Sequence, residues 1–355
     1  MKNSVIAILI AIGLIIFGAA LAGCSLLGMN GISGKTSLIT TQETITEDFA
    51  NIDLNIIEAN VTFHISDDGT CYYIAATRDN MFCTAEVENG TLKIGQDDSR
   101  NPAQFIGIFW EQSTLDIYLP QNAYEQLTIT GRTSDVHISD VFSFTTVSID
   151  NSTGDLDLSC QVKNDFVLHC STGDILLRNV SPVNITATVS TGDISLQNIS
   201  CETITASATT GDMRMENISC KTITAKTSTG DHCLRDVHAE TELSITVSTG
   251  HKELTDVTCG SLFLKATSGS TKLTNVIATG NATLTSNTGD WDLHSFDAAN
   301  ITITTTTGDV DGTLRSDKIF LTNTSTGEIK VPACTTGGTC KITTDTGDIH
   351  IEIAP

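Results

Sequence analysis

From Thr133 onward the chain restates one short motif every 19 or 20 residues, and a period of that length restricts the fold more than any other feature. With the glycine of S/T-T-G-D as origin, the copies fall at Gly154, Gly173, Gly192, Gly211, Gly230, Gly250, Gly269, Gly289, Gly308, Gly327 and Gly347. The successive gaps are 19, 19, 19, 19, 20, 19, 20, 19, 19 and 20 residues. A twelfth, degenerate copy reads Thr133-Ser134-Asp135, with Ser134 in the glycine position. Such periods belong to solenoids, where each repeat is one coil that buries its apolar face only by stacking on its neighbours.

The pattern inside a copy calls for strands. In Gly192-Asp193-Ile194-Ser195-Leu196-Gln197-Asn198-Ile199 the apolar residues stand at +2, +4 and +7, and Thr203–Ala208 alternates again with small residues inward. Period two on both sides of a corner leaves no room for a helix. The +4 column runs Ile138, Leu158, Leu177, Leu196, Met215, Leu234, Leu254, Leu273, Leu293, Gly312, Val331, Ile351, so eleven of twelve positions are apolar and the column reads as the spine of a core. The expected fold is all-β: a parallel β-helix (β-solenoid) of 19–20-residue coils about 4.8 Å apart, in all roughly 55 Å long. Parallel crossovers favour a right-handed wind. A stack of hairpins gives no reason for so constant a register.

Four segments follow. Residues 1–30 form a signal peptide or membrane anchor, 31–44 a linker, 45–132 irregular N-terminal β coils with a cap, and 133–355 the regular repeats. In the first, an uncharged run from Val5 to Leu27 follows a single Lys2 and is long enough, at about 20 residues, to cross a bilayer. Within it Leu21-Ala22-Gly23-Cys24 resembles a lipobox, which makes Cys24 a lipidation candidate. Leu26 and Leu27 carry the apolar run past that cysteine and equally suit an uncut anchor helix. Either way the membrane is a partner through the N-terminus and the body faces outward. Strands are expected at Ile52–Ile56, Val61–Ile65, Leu92–Ile94, Leu115–Leu119 and Leu127–Ile129. The apolar stretch Phe105–Trp110 reads as the cap, because an open end would expose unpaired edges.

Lys and Arg total 19 against 42 Asp and Glu, a net charge of −23. Nucleic acid and anionic lipid surfaces are excluded as partners of the body, since both require basic groups.

Recurrent S-T-G-D-I-x-L behind an N-terminal hydrophobic segment resembles the bacterial putative-adhesin family of β-strand repeats, a domain of unknown function that includes LiaG-like envelope proteins. The resemblance spans roughly residues 45–353. Its most specific parts are Leu119-Pro120 followed by the T-G-D copies, and the ending Thr335–Ile349. It implies a β-helix outside the cytoplasmic membrane, with adhesion as a proposed role and no catalytic residues to carry over. Family members usually keep a plain transmembrane anchor, so the lipobox is a departure.

The acidic +1 column, Asp135, Asp155, Asp174, Asp193, Asp212, Asp231, Asp290, Asp309, Glu328 and Asp348, is interrupted only by His251 and Ser270. A carboxylate ladder at rung spacing offers oxygen ligands to calcium, with Asp155, Asp174, Asp193, Asp212 and Asp231 as the candidate ligands. The simpler reading is a structural corner: glycine supplies a permissive backbone angle, aspartate an Asx-type turn, and the Thr or Ser at −1 a hydroxyl. Calcium solenoids use a nine-residue repeat with paired glycines, unlike this one. Outward T-x-T pairs such as Thr186/Thr188 and Thr205/Ser207 suggest an ice-binding face, but Phe263/Lys265 spoils it and threonine favours strands in any case.

Cys201, Cys220 and Cys259 share position +9. Cys201 and Cys220 should be vertical neighbours with side chains pointing the same way, a buried thiol stack rather than a bridge. Cys334 and Cys340 flank a Thr-Thr-Gly-Gly-Thr turn and make the better disulfide candidate. A carbohydrate-active enzyme needs an acid/base pair that differs from its surroundings. Here the carboxylates recur evenly and bases are scarce, His251-Lys252-Glu253 being the one irregularity. The expectation is a non-catalytic, envelope-anchored binding, adhesion or spacing module, with an envelope glycan or protein as ligand and no cofactor beyond calcium. A β-helix enzyme and a calcium-binding repeat are the alternatives.

Overall fold

In the coil of Gly192, Ile194–Gln197 forms a first side, a turn at Asn198 leads to the short side Ile199–Cys201, and Thr203–Thr210 brings the chain to Gly211. Each period is thus one three-sided coil. Alternation does the sorting: Ile194, Leu196, Ile199, Ile204, Ala206 and Ala208 point inward and are at most 4% exposed. The next coil repeats the arrangement in parallel register, Leu196 opposite Met215 and Ile204 opposite Ile223. These details come from a computed structural model, which describes residues 38–100, 111–139 and 141–354. Leu38–Pro355 is one compact unit, its 26 strands belong to a single sheet, and no helix occurs among the described residues.

The +4 column is the expected spine. Ten of its twelve residues, Ile138 through Leu293 and Ile351, are at most 2% exposed. The two exceptions are informative. Gly312 has φ +141°, and a Cβ there would lie 1.9 Å from the Leu293 carbonyl oxygen, so the chain passes too close for a side chain. Val331 lies in a coil that covers no further neighbour.

The twentieth residue of the longer coils is absorbed at one place. Register slips between Ala239 and Glu242 opposite Cys220 and Thr222, and again between Ala278 and Asn281 opposite Asn300. Each slip lies at the corner between the second and third sides. The corner between the first and second sides slips as well, between Leu293 and Phe296 opposite Gly312 and Leu314.

The ends depart from the expected order. Ile301 pairs with Cys340 and Val310 with Ile349, while Lys318–Thr326 and Ile329–Lys330 pair only with Gly338–Thr346 and Ile349–Ile353. The last coil of the sequence therefore lies between the two that precede it, and the Gly327 coil is outermost. The other end mirrors this. Asn51–Glu58 pairs with Thr91–Asp98 on one side and Ala123–Thr133 on the other, so the first coil is again one rung inside. Stacking in strict chain order, the premise of the column reading, fails at both ends.

The N-terminal region also contains antiparallel strands that a plain parallel coil does not have. Met81–Glu88 lies against Thr91–Asp98, and Cys71–Thr77 joins Thr114–Leu119 to Ile39–Ile45. Residues 39–44, expected as linker, are thus an edge strand paired over its whole length. This polar strand and its neighbours cover the edge for which Phe105–Trp110 was expected to serve, and that segment lies outside the described residues.

Candidate functional site

The loudest sequence signal turns out to be a vertical connection between coils. At each corner except the outermost, at Gly327, the glycine N–H donates upward to the carbonyl of the −1 residue in the next coil, as Gly173 does to Thr191 at 3.0 Å. The +2 residue does the same, Ile175 donating to the carbonyl of Asp193 at 2.9 Å. The aspartate N–H between them points the other way. It is met by the carboxylate of the coil below: Asp174 N–H on Asp155 Oδ1 at 2.8 Å, Asp193 on Asp174 at 2.7 Å, Asp212 on Asp193 at 2.7 Å, Asp231 on Asp212 at 2.8 Å. Each carboxylate thereby satisfies a main-chain donor that the ladder would leave unpaired. The expected corner is present, with its aspartate reaching across to the next coil instead of closing its own turn, and the −1 residue contributing its carbonyl.

The reordered C-terminal coils keep the chemistry and change the partners: Asp348 donates to Asp309, and Glu328 to Asp348. Among the described residues no group of three or more His, Cys, Asp and Glu side chains is arranged to hold a metal ion.

Glycine is compulsory here for a second reason. At Gly211, with φ +142°, a Cβ would lie 1.9 Å from the carbonyl oxygen of Gly192, and the same approach recurs at Gly154, Gly173, Gly192, Gly230, Gly250, Gly269, Gly289, Gly308, Gly327 and Gly347. Ser134 can replace glycine in the first copy because no glycine corner lies beneath it.

A second corner escaped the sequence reading. Asn179, Asn198, Asn217, Asp236, Asp256, Asn275 and Ser295, all at +6, hold φ near +54°, a left-handed conformation that asparagine and aspartate tolerate. Their amides also form a ladder, Asn198 donating to Asn179 at 2.8 Å and Asn217 to Asn198 at 2.9 Å. The signal was visible as a recurring Asn or Asp just before the apolar +7 residue.

Where the acidic column breaks, the interior becomes polar. His232 and Lys252 occupy successive +2 positions and are 1% and 2% exposed. Lys252 Nζ donates to the Gly269 carbonyl at 2.7 Å and the Gly250 carbonyl at 3.1 Å. Burial pulls its pKa down to about 8. His232 Nε2 meets Thr227 Oγ1 at 2.7 Å while its Nδ1 has no protein partner, and burial, assisted by the Lys252 charge, lowers it to about 4. Of His251-Lys252-Glu253 only the lysine turns inward, while His251 and Glu253 stay exposed at the surface.

The cysteines divide. Cys201 and Cys220 are paired across adjacent coils, their Sγ atoms 3.1 Å apart, both free. Cys334 and Cys340 are free as well, in place of the expected bridge: Cys340 is in the core at 1% exposure, whereas Cys334 Sγ faces Asp317 at 3.6 Å. Cys24 and the apolar run around it lie outside the described residues. No helix among the described residues is long and apolar enough to cross a membrane.

The clefts found among the described residues are small, one of about 260 Å³ beside Glu58, Asn60, Arg78 and Ser113 and one of about 120 Å³ beside Asp309, Asp311 and Glu328. Small-molecule pockets commonly occupy roughly 300–1,000 Å³. The first side of the coils carries charge pairs, Arg214 with Glu216 at 3.1 Å, His294 with Asp292 at 2.9 Å and Arg178 with Asp157. The third side presents hydroxyl columns instead, Thr186/Thr188, Thr205/Ser207, Ser244/Thr246, Thr283/Thr285 and Thr302/Thr304, interrupted by Val167/His169, Lys226 and Phe263/Lys265.

The family model described as Toastrack DUF4097 matches residues 49–235, 182–269 and 239–355. No curated protein matches the chain. Among solved structures, a Parabacteroides distasonis protein described as a "putative lipid binding protein" is 13% identical, with 77% of this chain and 94% of that one covered and a TM-score of 0.34. A Bacteroides fragilis "putative adhesin" is 14% identical over 91% and 100% of the two chains, with a TM-score of 0.24. A Clostridium sporogenes "putative cell adhesion protein" is 7% identical over 89% and 100%, with a TM-score of 0.20.

Proposed function

The chain belongs to the Toastrack DUF4097 family, and on that footing we propose that it is a non-catalytic module held at the outer face of a bacterial membrane, where its long faces bind or space envelope components. Attachment is through the N-terminus, by a lipid on Cys24 or by the apolar run Val5–Leu27 as a membrane-crossing helix. Globomycin distinguishes the two, since only a lipoprotein precursor changes its processing.

The observation that carries the reading is the third side of the solenoid. It is a continuous strand surface whose outward residues are mostly hydroxyls, set at the rung spacing of about 4.8 Å. Such a surface can meet a glycan through many weak hydrogen bonds at once, so affinity would come from repetition. The strong charge of −23 disfavours polyanions and leaves neutral glycans and basic protein segments as ligand classes. Calcium stays a lesser proposal, because each of Asp155, Asp174, Asp193, Asp212 and Asp231 already accepts a main-chain N–H with one oxygen and only the second is spare.

The test is a pull-down of the detergent-solubilised full chain on peptidoglycan and a neutral glycan panel. Retention that falls when Thr205 and Thr224 are both replaced by Lys supports the reading. Retention unaffected by those changes moves the contact to another face. Release of new reducing ends from any polysaccharide, abolished by a carboxylate substitution, would replace the binding module with an enzyme.

A further inference from the structure

Cys201 and Cys220 stand apart from the other cysteines. They are directly paired residues on neighbouring parallel coils, and their sulfurs are 3.1 Å apart, closer than two unbonded thiols normally approach. Their backbone separation is set by the rung spacing of about 4.8 Å, inside the range of about 4.4–6.8 Å that a disulfide spans. The rung is already braced on the outside, since the adjacent Glu202 and Lys221 bridge the same two coils at 2.9 Å. The two thiols differ in access: Cys220 is 3% exposed, while Cys201 is only partly buried. Cys220 also has carbonyl acceptors, Glu202 at 3.2 Å and Thr222 at 3.3 Å, which fix its sulfur against Cys201. The neighbouring rungs offer no competing partner, because position +9 is Ala239 in the next coil and Pro182 in the preceding one.

We propose that Cys201 and Cys220 are a reversible dithiol site at which a small-molecule or protein disulfide installs a cross-link between two coils. The Cys201 thiolate attacks the oxidant disulfide, forming a mixed disulfide and releasing one thiol. Cys220, losing its proton to solvent, then attacks the Cys201 sulfur, closing the inter-coil bond and releasing the second thiol. Two protein thiols are oxidised and one disulfide is reduced to two thiols. Because Cys220 waits in contact, the second step is intramolecular and the mixed disulfide is short-lived.

The test uses the full chain in detergent, purified under reductant, equilibrated with oxidised glutathione, quenched by alkylation and mapped by peptide mass. The expected result is a Cys201–Cys220 linked peptide exceeding the Cys201–glutathione adduct by roughly tenfold or more. Dithiothreitol should restore both thiols. In Cys220→Ser the adduct on Cys201 should persist. The buried Cys160 and Cys170 serve as internal controls, since their lack of modification reports that the solenoid stayed folded. With those two protected, alkylation of both Cys201 and Cys220 after oxidation, or a bridge from either to another cysteine, overturns the proposal. A wild-type adduct on Cys201 that never resolves overturns it equally.

Discussion

Replacing Gly211 by alanine isolates the contact that fixes the coil spacing. The new Cβ would lie 1.9 Å from the Gly192 carbonyl oxygen and 2.5 Å from its carbon, at φ +142°. Neither coil can readily retreat, because Gly192 N–H is bonded to Thr210 at 2.9 Å and Asp212 N–H to the Asp193 carboxylate at 2.7 Å. A non-glycine residue held in such a conformation costs about 1–3 kcal/mol, and forcing packed groups apart costs about 1–3 kcal/mol more. The reduced entropy of the unfolded chain offsets about 0.4–1 kcal/mol. The expected net loss is about 1–5 kcal/mol. Gly95 is the control, since its nearest atom to a new Cβ is Thr84 Oγ1 at 3.8 Å, and Gly95→Ala should be neutral or slightly stabilising. Solenoids do not always unfold in one step, so urea unfolding followed by circular dichroism should be paired with hydrogen exchange over residues 192–229. Gly211→Ala matching Gly95→Ala in midpoint and in local protection would refute the close-approach argument.

The buried Lys252 holds its proton to about 8 when folded and to 10.5 when unfolded, so stability should rise with pH across that window by about 3 kcal/mol. Lys252→Met should abolish the rise, as read from urea midpoints at several pH values. His232 protonates near 4 when folded and at 6.5 when unfolded, so stability should fall by about 3 kcal/mol as pH drops through that interval, and His232→Leu should flatten the curve. Asp193→Ala removes the acceptor for the Asp212 N–H and should cost about 1 kcal/mol, no more, because the freed amide can turn to water. Millimolar calcium should leave the melting temperature of the wild type unchanged if the ladder is purely a corner device; a clear rise would make it a calcium site.

The interior of the solenoid was open to sequence reasoning because each coil meets the same physical demands. Leu196 must be apolar and Gly211 must lack a side chain for reasons their neighbours share, so the demand repeats and the column declares itself. The ends follow no such rule. Gly327 and Gly347 carry the same motif whichever coil lies beneath them, and nothing in T-G-D records that Gly347 stacks on Gly308. Residues 39–44 were similarly opaque, as their polar alternation suits a solvated edge strand and a linker alike. Lys252 was legible as an irregularity, but its inward direction follows from position +2, which was not weighed against its charge. Cys201 and Cys220 were placed correctly as neighbours, and only side-chain positions could bring their sulfurs into contact.

The exchanged order of the terminal coils bears on how the molecule carries load. Ile349–Ile353, the last strand of the chain, is gripped by Val310–Leu314 on one flank and Ile329–Lys330 on the other. A pull on the C-terminus must shear two rows of hydrogen bonds together, whereas an outermost strand would unzip one bond at a time. Fraying of Ile349–Ile353 is thus resisted by chain routing alone.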